Sequence, residues 1–251
     1  MKISFKMLYL SYTLFLICIV IYEFSQYDFT LFLQPSNETV LIEQALERIP
    51  ICNSYDRRRQ RSLLQTLQAW THLAHSSHIR YWISHRTLND FHQQQGLLPY
   101  ENEIDVTILA QETPQLFQIQ KDNFSSIYDL QIHPQWMMAQ TSNRSYFSSQ
   151  GVDFRKQNAR FLNRQSNTSI NIWPIYEKSP YNSVLIELDK NDQWKSIAEE
   201  WIFPLRPCRF SGIKVWCPAQ PNLLTLSSDE SESVYCSHGR WIQSNKQYLS
   251  K

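Results

Sequence analysis

Glycine is scarce in this chain: among 251 residues only Gly96, Gly151, Gly212 and Gly239 occur. Walker-type loops and dinucleotide fingerprints need several glycines close together, so that phosphate can approach the backbone. Both are excluded, and any phosphate handled here is met by side chains or by a metal. An excess of charge is missing too, since 24 Lys and Arg against 23 Asp and Glu leave a formal net charge of +1. No basic stretch interleaved with aromatics occurs, so nucleic acid is not an expected partner. The cysteines lack the spacing of a structural zinc site, and no internal repeat is visible. What is present is a core: 42% hydrophobic and 14% aromatic residues argue for a folded protein. The length fits one large domain or two small ones.

The N-terminus carries the first positive signal. Lys2 and Lys6 precede "MLYLSYTLFLICIVIY", an apolar run from Met7 to Tyr22 that ends at Glu23. A bilayer core takes about 20 apolar residues, so the run is slightly short, and thinner early-secretory membranes suit it. Its basic flank predicts a cytoplasmic N-terminus and a translocated body. No small-residue cleavage site follows, which favours a signal anchor over a cleaved peptide. Sequons at Asn37, Asn123, Asn143 and Asn167 agree with lumenal exposure and glycosylation. Outside the apolar run stand Cys52, Cys208, Cys217 and Cys236. An even count fits two disulfides with three possible pairings, and Cys208 with Cys217 would staple a short hairpin. The expected organisation is a stub and transmembrane anchor at 1–24, a stem and first helix at 25–54, and one lumenal domain at 55–251. The chain would be a single-pass type II protein of the Golgi or endoplasmic reticulum membrane.

Along the body, "NETVLIEQALERI" opens on a good N-cap and stops before Pro50, predicting a helix. "YDRRRQRSLLQTLQAWTHLAHSS" predicts a second, with Leu63, Leu64, Leu67 and Trp70 as its apolar stripe and its arginines as a solvated start. A strand at "IRYWIS", a helix at "RTLNDFHQQQ" and a turn at Gly96 come next. Then Pro114 opens a brief helix, and short segments follow at "SIYDLQIH", "QWMMAQT", "ARFLNR", "SINIWPIYE" and "SVLIELD". "EEWIFPLRPCRFSGIKVWCP" reads as a hairpin. Helices first, then strands with helices between them, give an α/β or α+β class.

The stretch "GLLPYENEIDVTIL" raises the question of function. Glu101, Glu103 and Asp105 fall at every second position, and the strand expected over 103–109 would align the carboxylates on one face, roughly 6 to 7 Å apart. Charges that close need a cation between them. An edge strand guarded against aggregation fits the same pattern. So does a hard oxygen site for Mg²⁺ or Mn²⁺, of the kind that serves phosphoryl transfer. The histidines at 72, 75 and 78 do not rival it, because three-residue steps spread them over about 120° of helix surface.

Residues 81–106, "YWISHRTLNDFHQQQGLLPYENEIDV", resemble a stretch close to "YWLSGGTLLGAxRxxGFIPWDDDIDI" of the LicD and fukutin-like transferases. "SINIWPIYE" is similar to that family's "FIDIFPI" region. "FPLRPCRFSGIKVWCPAQPNLLTL", followed by Tyr235, Gly239 and Trp241, is similar to its closing segment. The resemblance covers roughly residues 60–245 and implies a nucleotidyltransferase-like mixed sheet flanked by helices. It implies a glycan-modifying transferase, moving a group such as phosphocholine or ribitol phosphate from a nucleoside diphosphate donor to a glycan hydroxyl. Glu103 and Asp105 stand at the family's metal-binding Asp-x-Asp, with Glu101 at the preceding acidic position, so Mg²⁺ or Mn²⁺ is the implied cofactor. Asn171 occupies the place of a third carboxylate, and Ser84, His85 and Arg86 replace the Gly-Gly turn. Arg86, Arg155, Lys156 and Arg160 are the candidates for steadying the donor. A non-catalytic relative that binds a glycan or a partner is the alternative.

Overall fold

The structure, a computed structural model, describes residues 38–121, 125–133, 159–179, 182–188, 194–225 and 233–244. The chain divides into two compact units, Met1–Glu38 and Thr39–Lys251. The apolar run, the stem, the segment "QWMMAQT" and the sequons at Asn37, Asn123 and Asn143 lie outside the described residues. No helix among the described residues is long and apolar enough to cross a membrane.

Helix α1, Glu38–Arg48, which the sequence places with the stem, packs into the core of the body. Its residues Ile42, Leu46 and Ile49 fall at helical spacing and are buried in the main core. Helix α2, Asp56–Ser76, runs beneath the sheet with Leu63, Leu64, Leu67 and Trp70 fully buried. Its arginines are not a solvated start, apart from exposed Arg58. Arg57 donates to the carbonyls of Leu46 and Ile49 at the end of α1, and Arg61 pairs with Glu43 at 2.7 Å. Arg59 donates to Asn102 at 3.1 Å and to the carbonyl of Pro99. The carbonyls at a helix end have no partner within the helix, and here guanidinium forks supply one.

Strand β1, Tyr81–Ile83, leads into helix α3, His85–Gln94, and then strand β2, Glu103–Leu109. A 3₁₀ turn at Ala110–Glu112 and helix α4, Thr113–Lys121, precede strands β3, Tyr128–Ile132, and β4, Ala159–Asn163. Strand β5, Thr168–Ser179, is the longest. Strands β6, Asn182–Leu188, and β7, Trp194–Ala198, follow it. The order β1-β2-β5-β4-β3 is mixed: β2 and β5 run parallel, while the other pairs are antiparallel. β6 extends the sheet from the far half of β5, and β7 pairs with β6. The expected α/β sheet flanked by helices is therefore present. β2 lies inside it, between β1 and β5, which disposes of the edge-strand reading.

Period-2 alternation explains why this sheet presents two unlike faces. Ile104, Val106 and Ile108 of β2, with Ile170 and Ile172 of β5, are fully buried in the same core as the α2 stripe. The alternate positions carry Glu103, Asp105 and Thr107, and Ser169, Asn171 and Trp173. A short helix α5, Glu199–Ile202, precedes the hairpin β8, Arg206–Phe210, and β9, Ile213–Cys217, which carries the Cys208–Cys217 disulfide. Helix α6, Pro221–Leu224, follows, and a second hairpin, β10 Ser233–Ser237 and β11 Arg240–Ser244, is tied back by Cys52–Cys236.

Candidate active site

The parallel register of β2 and β5 sets Asp105 level with Asn171, and Glu103 level with Ser169. Across β4 and β5, Arg160 is level with Asn171 as well. Three neighbouring strands therefore bring Asp105, Asn171 and Arg160 into one row. The Asn171 amide donates to Glu103 Oε2 at 2.9 Å and to Asp105 Oδ1 at 3.1 Å. Trp173 Nε1 donates to the same Asp105 oxygen at 3.0 Å. Arg160 reaches Glu103 Oε1 at 3.1 Å and Ser169 Oγ at 2.8 Å. Asn171 is almost fully buried, and its Oδ1 has no hydrogen-bond partner among the described residues. Buried acceptors are rarely left so.

The start of α3 locks onto β2. The Ser84 N–H donates to the Asp105 carbonyl at 3.1 Å, and the Asp105 N–H to Thr87 Oγ1 at 2.7 Å. His85 holds a left-handed φ of 47°, so the backbone shape that glycine favours survives at the position where the family has glycine. The His85 ring meets Trp173 edge-on, with centroids 4.9 Å apart. Ser84 Oγ is buried at the helix start and makes no capping bond.

Glu101 behaves differently from the other two carboxylates. It precedes β2, is buried, and pairs with Arg86 at 3.2 Å. Burial pushes its carboxyl up, and the Arg86 charge only partly offsets this. The aligned trio expected of Glu101, Glu103 and Asp105 is thus a pair plus an acid held by its own arginine. Among the described residues, no three His, Cys, Asp or Glu side chains converge as a metal-binding group. Arg86 is engaged with Glu101 while most of its side chain stays exposed. Arg160 is a site residue on β4, and Arg155 and Lys156 lie outside the described residues.

Sequence reasoning missed two residues. Trp173 stands two positions after Asn171, so alternation alone puts it on the carboxylate face. Asp90 sits one helical turn after buried Thr87 and is itself buried. Burial first, and the Glu101 charge second, push its carboxyl up to about 8. An acid on the inward face of a short helix was the available signal.

No curated protein sequence matches the chain. Nine solved chains do, among them the lincomycin-bound crystal structure of the lincosamide antibiotic adenylyltransferase LnuA. That match has 15% identity and a TM-score of 0.37, and covers 66% of this chain and 87% of that one. Residues 78–220, more than half of the chain and including every site residue described above, match the LicD/FKTN/FKRP nucleotidyltransferase domain. The chain belongs to the LicD family.

Proposed function

We propose that this protein transfers a phospho-alcohol group, of the phosphocholine or ribitol phosphate type, from a nucleoside diphosphate-linked donor to a hydroxyl of a glycan. The observation that carries this reading is the meeting of Glu103, Asp105 and Asn171 on the polar face of two parallel strands, inside the matched domain.

The donor set fits a hard divalent ion, Mg²⁺ or Mn²⁺. Glu103 and Asp105 supply carboxylate oxygens, and the unpartnered Asn171 Oδ1 supplies a third hard oxygen once its amide turns over. The same amide presents its NH₂ to both carboxylates. Glu101, paired with Arg86, tunes the field from behind. When bound, the ion neutralises charge developing on the phosphate oxygens. In the transfer, the acceptor oxygen forms a bond to the phosphorus of the donated group. The bond from that phosphorus to the bridging oxygen breaks, and a nucleoside monophosphate leaves. Arg86, with most of its side chain exposed, and half-buried Arg160 meet the donor phosphates, while Trp173 and His85 wall the site beside Asp105. Asn171 is neutral and cannot take the acceptor proton, so that role falls to a carboxylate.

The anchor, the stem and a lumenal body in the Golgi or endoplasmic reticulum belong to the same proposal. Two disulfides support it, since they persist in oxidising compartments. Asn167 is exposed in the β4–β5 turn, where a glycan would be accommodated. Sensitivity of the chain to endoglycosidase checks this placement.

A second reading, a glycan- or partner-binding relative without catalysis, is favoured by one observation. Protein donors already satisfy the carboxylates: Arg160 on Glu103, Trp173 on Asp105 and Arg86 on Glu101. Calorimetric titration of the full chain with Mn²⁺, with and without a CDP-linked ligand, separates the two. The transferase binds nucleotide only with metal, and the Glu103→Ala/Asp105→Ala variant loses both. A folded protein that binds neither metal nor nucleotide is the second kind.

A further inference from the structure

Away from the carboxylates, α1, the end of α3 and the β8–β9 turn enclose a cavity of about 400 Å³. Its size falls in the range of about 300–1,000 Å³ usual for small-molecule sites. Its walls are fixed by a tight joint. The Ser211 N–H donates to the Gln95 carbonyl at 3.0 Å, and the Leu97 N–H donates to Ser211 Oγ at 2.9 Å. Ser211 and Gly212 both take positive φ, 47° and 82°, in a two-residue turn of the kind that closes hairpins. The joint also needs Gly96, where a Cβ would meet Ser211 Oγ at 2.4 Å. A pocket held this way is pre-formed.

Its chemistry is one-sided. Leu41, Ala45 and Leu97 give an apolar inner wall, with Leu97 fully buried. Exposed Arg48 and Arg209 enter from different elements, beside the amides of Gln44 and Gln95. No Asp or Glu is among the lining residues. Among the described residues Arg48 has no ion-pair partner, and Arg209 donates to the Gly212 carbonyl at 3.2 Å and pairs with no acid. The nearby acid Glu43 is turned to Arg61 instead. Two guanidinium groups at a concave, partly apolar surface focus a positive potential. Planar forks suit carboxylate or phosphate oxygens, and side-chain amides suit hydroxyl groups.

We infer that this cavity is a binding site for an anionic saccharide unit, with Arg48 and Arg209 on the acidic group, Gln44 and Gln95 on ring hydroxyls, and Leu41 and Ala45 under the apolar face of the ring. The inference does not depend on the transferase reading, because the cavity shares no residue with the carboxylate site.

Calorimetry on the full chain, without metal or nucleotide, tests it with glucuronate, glucose 6-phosphate, glucose and inorganic phosphate as probes. At least one anionic sugar binds tenfold or more tightly than both glucose and phosphate, and Arg48→Gln and Arg209→Gln each weaken it at least tenfold. Arg164→Gln, outside the cavity, leaves binding unchanged, and so does Glu103→Ala/Asp105→Ala. Melting temperatures confirm that the variants are folded. Equal binding of free phosphate reduces the site to a surface anion contact and overturns the inference. Equal binding of glucose, absence of any binding, or indifference to both arginine changes also overturns it. If the carboxylate variant abolishes nucleotide binding while sugar binding persists, the two sites are separate. The transferase reading then stands or falls on its own titration.

Discussion

At the scale of single residues, Asn171 is a neutral amide facing two carboxylates, where a third acid would repel both. Its NH₂ bridges two carboxylates, while its own oxygen is left without a partner. Asn171→Asp replaces two hydrogen bonds with two like-charge contacts. In metal-free buffer the variant should lose about 2–4 kcal/mol of stability, from buried like charge and lost bonds. With Mn²⁺ present it should recover most of that loss and bind the ion at least tenfold more tightly than the parent. Melting curves in EDTA and in Mn²⁺ decide it, and a variant equally unstable in both removes Asn171 from the proposed metal site. Asp90 makes a separate prediction about pH. Unfolded, it ionises near its ordinary 3.8; folded, burial and Glu101 hold it up at about 8. Between those values the folded chain keeps a proton that the unfolded chain has lost. Its stability contribution is therefore complete below about pH 4 and is lost as pH rises through 8. Each pKa unit is worth about 1.4 kcal/mol, so the loss amounts to several kcal/mol. Asp90→Asn keeps an acceptor for the Leu98 N–H and removes the ionisation. Its melting temperature should fall much less than the parent's between pH 5 and pH 8.5, and parallel declines would refute the assignment.

At the scale of elements, the joint between α3 and the β8–β9 turn rests on one glycine. Gly96→Ala places a Cβ 2.4 Å from Ser211 Oγ and 3.2 Å from the Ser211 backbone nitrogen. The turn must shift, at a cost of about 1–3 kcal/mol. Ser211→Ala in the same chain removes the closer clash, so the double variant should be more stable than the additive sum of the single ones. Urea midpoints of the three variants measure that coupling, and strict additivity would mean the two residues do not touch. Elements of this kind differ in how far the sequence announces them. Strand β2 is legible because Ile104, Val106 and Ile108 alternate with polar residues, and α2 because its leucines repeat at helical spacing. The pairing of β2 with β5 is not legible. It places Asn171 beside Asp105 across many intervening residues, and only the resemblance to a family pointed there. The arginines of α2 read as solvated because the partners of Arg57 are backbone carbonyls, of Leu46 and Ile49, and those of Arg59 and Arg61 include Asn102 and Glu43 on other segments, which no local pattern announces. The period-2 alternation runs two residues ahead of β2, which starts at Glu103 as expected, so pattern alone sets Glu101 on the carboxylate face although it lies outside the strand. Asp90 hid because helical periodicity shows an inward position only when the helix ends are known.

At the scale of the whole molecule, the C-terminal hairpin is an addition that crosslinking makes part of the body. β10 and β11 form a separate two-stranded sheet, and such a hairpin is marginal alone. It is held by Cys52–Cys236, by Asn53 Nδ2 donating to the Gly239 carbonyl at 3.0 Å, and by Trp241 Nε1 donating to Asp56 at 2.9 Å. Asp56 is the hub of that contact. Burial pushes its carboxyl up, but the N–H groups of Cys52 and Asn53, the Trp241 indole and Arg59 outweigh this and hold it below the usual range. Trp241 also meets Tyr100, the residue before Glu101, at 6.3 Å between centroids, so the hairpin borders the carboxylate site. The two disulfides should therefore differ sharply when removed. Cys52–Cys236 spans 184 positions and Cys208–Cys217 only 9. Loop entropy alone predicts about 5 kcal/mol for the long crosslink and about 2.5 kcal/mol for the short one. Cys52→Ser/Cys236→Ser should lose more stability in urea than Cys208→Ser/Cys217→Ser, and a limiting amount of protease should cut it near residues 233–244 first. The carboxylate sheet should remain folded after that cut, while nucleotide binding weakens because Tyr100 has lost its neighbour. If the short crosslink proves the costlier loss, or if cutting the hairpin leaves binding untouched, then the C-terminal hairpin has no part in shaping the site.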